Sequence, residues 1–550
     1  MPEDDVETSP ATTNHEAATH DVVVIGAGVS GIYQIKRLVD MGLDAVVLEA
    51  EADLGGTWYR NRYPGCRFDS ESYTYGYSFS QELLDEWHWK ERFSPQPENL
   101  RYLNYVADKF DLRKHMRFGV RIASMKWDEQ RRVWHLTDTE GSVTSARFVV
   151  ASLGPLSIPT MPDYPGLDRF EGQAFHTFHW PEEPVELAGR RVGVIGTGAT
   201  GIQVIAEIAD KVGELKVFQR RPNWSSPLNN GPISDDEMSQ IRARYDEIFA
   251  NCAASPGGFE HVPRWGFWDA TAEERRALWD QLYAEPGFAI LAANYGEIYF
   301  DEAANAELSA YIADRIRGRV DDPALAEKLI PRDHGFGLQR LPLETHYFEA
   351  YNRPNVHLVD LQETPIQHFT EGGIQTSDQH HDLDVIVFAT GFDAITGGYD
   401  RMDIEGANGV RLSDRWSDSP RTLLGVMTHG FPNLMMVAGP QSVSGSTNFP
   451  RAIEKGVEFV TGLIETTLDN GNTRVEARLE AEDAWVKEVV RAHERLLIRN
   501  SKGWFTGYNS NVAGHAEGQV RYQAYFGGAP RYVARVEAVV DGGYREFEFD

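Results

Sequence analysis

Two glycine-rich loops restrict the folds open to this chain more than any other feature of it. The first lies in "DVVVIGAGVSGIYQIKRLVDMG", Asp21 to Gly42. The apolar run from Asp21 to Ile25 has the length and β-branched content of a buried strand. Gly26, Gly28 and Gly31 follow at GxGxxG spacing, with Ser30 among them, and an amphipathic helix runs on to Gly42. "AVVLE" is then a second strand, and Glu49 ends it. The glycines allow a tight turn and close backbone approach to a pyrophosphate, seated on the amide-rich N-terminus of the helix. A carboxylate at the end of the next strand, 18 residues past Gly31, is placed to accept hydrogen bonds from a ribose diol.

The unit recurs. "RRVGVIG" is a strand, Gly196, Gly198 and Gly201 repeat the spacing, "IQVIAEIADKVG" is the helix and "LKVFQRRP" the following strand. This second unit ends in Arg220 and Arg221 where the first ends in an acid. A carboxylate there repels a 2′-phosphate, whereas a guanidinium binds it through two N–H groups. The first loop is therefore assigned to FAD. The second, with Gly196, Thr197, Gly198, Ala199, Thr200 and Gly201, is assigned to NADPH. The expected fold is α/β, with two Rossmann-like dinucleotide-binding domains.

The bulk numbers narrow the partners. At 550 residues the chain has core for about three or four domains. A net charge of −30 leaves no basic footprint for nucleic acid. The 13 Trp and 22 Tyr suit planar ligands or apolar pockets. Cys66 and Cys252 form neither a CxxC motif nor a zinc spacing. A disulfide reductase needs a cysteine pair beside its flavin, so its absence shifts the expectation from reductase toward oxygen chemistry. No metal site is expected. The start is polar and acidic without a signal-peptide pattern, and no apolar run is long enough to span a bilayer. A reducing cytoplasm fits, with residues 1–19 as a disordered tail.

Between the two loops stands "FEGQAFHTFHWP", residues 170–181. It resembles the fingerprint of type I Baeyer–Villiger monooxygenases, FxGxxxHxxxW followed by Pro or Asp, through Phe170, Gly172, His176, Trp180 and Pro181. Similar segments lie around it: "GGTWYRNRYPG" at 55–65, "FDSESY" at 68–73, "YNRPNV" at 351–356, "VFATGFDA" at 387–394 and "FPNLMMVAGP" at 431–440. The resemblance covers nearly the whole chain from Asp21. It implies an FAD domain interrupted by an NADP domain, with FAD in residues 20–157 and 385–550 and NADP in 158–224 and 331–384. Three amphipathic segments, "SDDEMSQIRARYDEIF", "TAEERRALWDQLY" and "NAELSAYIADRIRG", are expected to form a helical insertion at 225–330. "LDVIVFATG" and "NLMMVAGP" are both expected to be late strands of the first sheet. "YTYGYSF" at 73–79 alternates like a strand with one aromatic face.

The resemblance also implies a chemistry and its carriers. Reduced FAD and O2 form a C4a-peroxyflavin, whose anion attacks a ketone carbonyl, and a carbon migrates to give an ester or lactone. Arg340 falls where the family has the cation for this step, and Asp69, after the "NRYPG" turn, where it has the acid that orients that cation. An Arg stays protonated in a dry site and stabilises the oxyanion. Gly55, Gly56, Thr57, Trp58 and Tyr75 match flavin contacts, although Tyr75 also reads as core. Arg67 and Phe68 lie where NADP reaches the flavin, and Trp504 matches an NADP contact from a C-terminal loop. His176 is read as a conformational residue at a junction rather than a catalytic one. Many members carry Lys immediately before the catalytic Arg, and this chain has Gln339, which leaves Arg220 and Arg221 to hold the 2′-phosphate. The small residues of 439–449 leave room for a larger ketone. The expected partners are a lipophilic or cyclic ketone and O2, without nucleic acid or membrane, for a monomer or weak oligomer. Sulfoxidation, a heteroatom-oxidising monooxygenase and a non-catalytic FAD/NADP sensor remain as alternatives.

Overall fold

Val22, Val23 and Val24 are fully buried, so β1 (Thr19–Ile25) is covered on both faces, as the unbroken apolar run requires. It pairs in parallel with β2 (Ala45–Leu48), from Val22 opposite Ala45 to Ile25 opposite Leu48. The computed structural model describes residues 19–443, 445, 447–512, 514–515 and 520–550. The expected tail, residues 1–18, lies outside the described residues, and Thr19 already belongs to β1.

The first sheet has eight strands. β3 (Met116–Arg117), β2, β1 and β6 (Val143–Ala151) run in parallel, and β4 (Ile122–Asp128) and β5 (Val133–Asp138) extend the sheet antiparallel beyond β6. Leu434–Met436 returns late in the chain to pair with β6, as "NLMMVAGP" suggested. The 21-residue helix Phe449–Asp469 packs against helix Val29–Asp40, where Gln34 Nε2 donates to Thr461 Oγ1 at 3.1 Å in a buried contact.

The second sheet has five parallel strands in the order Val356–Asp360, β9 (Glu214–Gln219), β8 (Arg191–Ile195), Val385–Phe388 and β7 (Gln173–His176). Two expectations need correction. Val385–Phe388, from "LDVIVFATG", is a strand of this second sheet and not of the first, so the return to the first sheet starts after Phe388 rather than at 385. An apolar strand ending in a small-residue turn fits either sheet, and burial alone does not say which. "YTYGYSF" is no strand: Ser72–Tyr75 is one helical turn, closed at Gly76. Its aromatics face a cluster instead of alternating, with Tyr75 stacked on Phe68 at 4.2 Å and 13°.

Between residues 235 and 328 the chain is mainly helical. The first expected helix is two, Asp235–Ala243 and Tyr245–Ala254, broken at Arg244. Ala272–Ala284 starts on a capping box between Thr271 and Glu274, and Glu302–Arg317 starts on Asp301, which accepts from two backbone amides. Among the described residues, no helix is long and apolar enough to cross a membrane.

Candidate active site

The two loops share one local geometry. Gly28 caps helix Val29–Asp40 at φ −78°, ψ −168°, and Gly198 caps helix Ala199–Ile208 at φ −79°, ψ −172°. Neither helix has a side-chain cap or an acid in its first turn, so the first-turn amides and the positive end of the dipole are left for an anion. The three glycines of each loop do different work. A Cβ on Gly31 would stand 1.8 Å from the Gly26 carbonyl oxygen, and one on Gly201 2.2 Å from that of Gly196, so these glycines let helix and strand touch. A Cβ on Gly198 would meet no protein atom within 4 Å, and one on Gly28 would lie 3.6 Å from Gly56 Cα. The protein itself does not demand glycine at 28 or 198. A ligand approaching the backbone would.

Both cradles open on one cavity of about 1420 Å³. Gly26, Gly28, Ser30, Glu49, Gly56, Thr57, Trp58, Arg67, Phe68, Asp69 and Tyr75 line it from one side, and Gly198, Ala199, Thr200, Gln339, Arg340 and Trp504 from the other. Gly31, Gly196, Thr197, Gly201, Arg220 and Arg221 do not line it. Glu49 is buried and accepts from Ala27 N–H at 2.6 Å and Glu51 N–H at 2.9 Å, while burial raises its pKa against those amides. The halves are clamped by Gln203, which accepts from Tyr63 OH at 2.9 Å and donates to the Arg67 carbonyl at 3.0 Å. Trp58 Nε1 donates to Tyr75 OH at 2.9 Å, which fixes both rings in the wall.

At the junction of the two sides, Arg340 Nη1 donates to Asp69 Oδ2 at 2.6 Å. Asp69 is 4% exposed, whereas the Arg340 side chain is 37% exposed, so the acid is fixed and the cation faces the cavity. Arg340 also donates to the Leu341 carbonyl and lies 5.7 Å from the Phe288 ring centre. Asp69 Oδ1 is buried without a hydrogen-bond partner among the described residues. Such an orphan costs about 1–3 kcal/mol, a cost removed when a bound ligand supplies a donor.

Arg220 and Arg221 stand just past β9. Arg221 is 3.4 Å from Asp333. Arg220 has no carboxylate at salt-bridge distance among the described residues and donates to Ser510 Oγ. Burial, then the neighbouring Arg221, pulls its pKa below the usual value, the situation an added anion relieves. Gln339 Nε2 donates to the Lys502 carbonyl at 3.1 Å, so at this position the chain holds the C-terminal loop where a lysine would offer charge. Trp504 follows in that loop and packs near Ala394, Ile395 and Ala524.

The fingerprint residues of the aromatic segment make structural contacts, while Phe178 and His179 beside them reach the cavity wall. β7 is the edge strand of the second sheet, so Gln173–His176 is part of that fold and not a linker. A Cβ on Gly172 would stand 2.4 Å from the Phe170 ring and 2.5 Å from the Asp384 carbonyl oxygen. Trp180 packs on Phe175 at 5.6 Å. His176 Nε2 donates to the Gly391 carbonyl at 3.2 Å and Nδ1 accepts from Phe178 N–H at 3.1 Å, tying the edge strand to the chain that leaves the sheet. Burial first, then the charge of His179, lowers its pKa from 6.5 to about 4. An imidazole whose two nitrogens are both held by backbone, and which is neutral at neutral pH, is no proton shuttle.

A stability prediction follows with a definite sign. The folded pKa lies below the unfolded one, so the contribution of neutral His176 is complete above pH 6.5 and is lost as pH falls toward 4. The full difference corresponds to about 3 kcal/mol. The thermal midpoint should fall between about pH 6.5 and about pH 4.5, and fall less in His176→Gln, whose amide keeps a donor for Gly391. Equal slopes in both proteins would remove His176 from the account.

The Flavin-binding monooxygenase-like family model matches residues 19–229. The 2-oxo-Δ3-4,5,5-trimethylcyclopentenylacetyl-CoA monooxygenase of Pseudomonas putida is 43% identical over 96% of this chain and 98% of its own. A Baeyer–Villiger monooxygenase of Pseudooceanicola batsensis is 36% identical over 97% of this chain and 96% of its own. The chain belongs to the Baeyer–Villiger monooxygenase family. The crystal structure of OTEMO in complex with FAD and NADP matches with TM-score 0.93 at 42% identity, covering 97% of this chain and 100% of that one.

Some cavity residues of this family member had no signal in the sequence. Phe288, Leu291 and Tyr299 line it from the helical region, between the amphipathic segments that the sequence pattern marks. Arg60, Glu51 and Arg121 gather beside Glu49 as an ion-pair group assembled from three separate segments. Cys66 and Cys252 are free and buried, and burial pushes both thiols up to about 12, so neither is a nucleophile. Among the described residues, no cluster of His, Cys, Asp and Glu could hold a metal ion.

Proposed function

We propose that this chain uses NADPH and O2 to oxidise lipophilic or cyclic ketones to esters or lactones, with FAD as its bound cofactor. The observation that carries this reading is the Arg340–Asp69 pair, set in the cavity that both dinucleotide cradles open on. Ketone, O2, NADPH and a proton give ester, NADP⁺ and water. The bound flavin, reduced by NADPH, supplies the oxygen activation. The protein's part is binding, orientation and charge. Gly26, Gly28, Ser30, Gly31, Glu49, Gly56, Thr57, Trp58, Asp69 and Tyr75 hold FAD. Gly196 to Gly201, Arg67, Phe68, Arg220, Arg221, Gln339, Arg340 and Trp504 hold NADPH. Arg340, oriented by Asp69, stabilises the negative oxygen that develops during the reaction. The first sheet with the C-terminal helices forms the FAD domain, and the second sheet the inserted NADP domain. The buried, unbonded thiols suit the reducing cytoplasm in which we place the protein.

The reading is tested by incubating protein, FAD and NADPH in air with cyclic ketones and, separately, with sulfides and amines. An ester or lactone one oxygen atom heavier than the ketone supports it. Heteroatom oxides without any ester would replace it with the heteroatom-oxidising reading, and no oxygenated product at all with a sensor.

The FAD cradle has its own test. Gly28→Val should fold, because the first added carbon meets only Gly56 Cα at 3.6 Å. Its branch fills the gap the pyrophosphate needs. The flavin content of the purified variant should drop by about tenfold or more, with an unchanged circular dichroism spectrum. Normal flavin content would refute this assignment of the loop.

A further inference from the structure

We propose that one arm of the cavity is a subsite for an anionic tail on the ketone. The arm is lined by residues between Pro256 and Phe300 and, from the C-terminal part, by Arg495, Leu496, Gly528 and Arg531. Five of the seven arginines lining the cavity are paired with a carboxylate, and the two that have none at salt-bridge distance among the described residues, Arg495 and Arg531, both line this arm. The carboxylates that line the cavity, Glu49, Glu51 and Asp69, belong to the first-sheet side of it. In a chain with 83 acidic and 53 basic residues, a stretch of cavity holding two unpaired guanidiniums and no acid repels cations and attracts anions.

The arm is continuous with the reacting end. Arg340 lies over Phe288, and Phe288 packs on Phe259 at 4.9 Å. The chain then runs back to Pro256, against which Gly528 packs, and Arg531 follows in the first turn of helix Ala529–Asp541. On the other flank, Leu496 beside Arg495 shares one apolar cluster with Tyr299. Trp265 is 64% exposed and Phe300 50% exposed, and their rings lie 6.3 Å apart on the same arm. Exposed aromatic surface beside unpaired arginines suits an apolar body that ends in carboxylate or phosphate.

This inference rests on the ketone-oxidation reading, and its test separates the two. One cyclic ketone is offered in three forms: free keto acid, neutral methyl ester, and coenzyme A thioester. Wild type and the Arg495→Gln/Arg531→Gln variant are compared by KM and kcat. KM for the anionic forms should rise about 5- to 30-fold in the variant, with kcat and all constants for the methyl ester unchanged. In wild type, KM for the anionic forms should rise with ionic strength and that for the methyl ester should not. A rise for the thioester alone assigns the arm to phosphates, and a rise for the acid as well assigns it to carboxylates. If the variant leaves all three forms unchanged, or weakens all three equally, the subsite is refuted while ketone oxidation stands. If wild type oxidises none of the three, both readings fall.

Discussion

Arg340→Ala should make essentially no ester while still binding FAD and being reduced by NADPH. The guanidinium is the cation that the Asp69 carboxylate holds toward the cavity. Removing an oxyanion stabiliser costs about 10²–10³ in rate, and Arg340 is proposed to serve both the activated oxygen and the carbonyl adduct, so the loss should exceed that range. Reduction is expected to slow, since Arg340 also helps hold the nicotinamide, but to go to completion. The reduced variant should then consume O2 and release hydrogen peroxide. Stopped-flow flavin reduction beside ester and peroxide yields decides the matter. Substantial ester from the variant would move the chemistry to another group.

Loss of Arg340 also leaves the buried Asp69 carboxylate without its cation, which destabilises the fold. The double variant Arg340→Ala/Asp69→Asn removes that strain and should match the single variant in product yields while melting higher. Asp69→Asn alone should keep part of the ester yield, because Arg340 retains the Leu341 carbonyl as a partner. If the double variant recovered ester, the defect of the single variant would be one of folding.

The parts legible in the sequence are those where one short segment sets its own geometry. Strand, glycines, helix, strand and terminal residue form a local unit, so Glu49 and Arg220 could be placed by counting alone. The pairing of Asp69 with Arg340 spans 271 residues and came from the family resemblance, not from any local pattern. Val385–Phe388 reads as a first-sheet strand for the same reason: its burial is local, but its partners are β7 and β8. The aromatics of 73–79 alternate in sequence, yet Gly76 and the stacking of Tyr75 on Phe68 hold the segment in a turn. His176 shows the converse. Its residue type suggests chemistry, and only its two backbone hydrogen bonds show that it fastens a strand.

The choice of nicotinamide should depend on Arg220 far more than on Arg221. Both follow β9, but Arg221 has Asp333 at 3.4 Å and lies 5.4 Å from the Tyr508 ring centre, so much of its charge is already answered. Arg220 is not answered by an acid among the described residues, and its Ser510 partner is neutral. A lost charged hydrogen bond costs about 1.5–3 kcal/mol, so Arg220→Ala should weaken NADPH about 10- to 150-fold. NADH, which lacks the 2′-phosphate, should be nearly unaffected. Gln339→Lys should tighten NADPH, at some loss of the Lys502 carbonyl contact that tethers the C-terminal loop. Gly198→Ala is the control for the cradle as a whole. Its methyl meets no protein atom within 4 Å, so the fold is untouched, but the pyrophosphate is common to both nucleotides and both should weaken together. Dissociation constants from quenching of tryptophan fluorescence separate the two effects without reliance on turnover. Equal losses of NADPH and NADH in Arg220→Ala would reduce Arg220 to a general support of the loop and leave the 2′-phosphate to another cation.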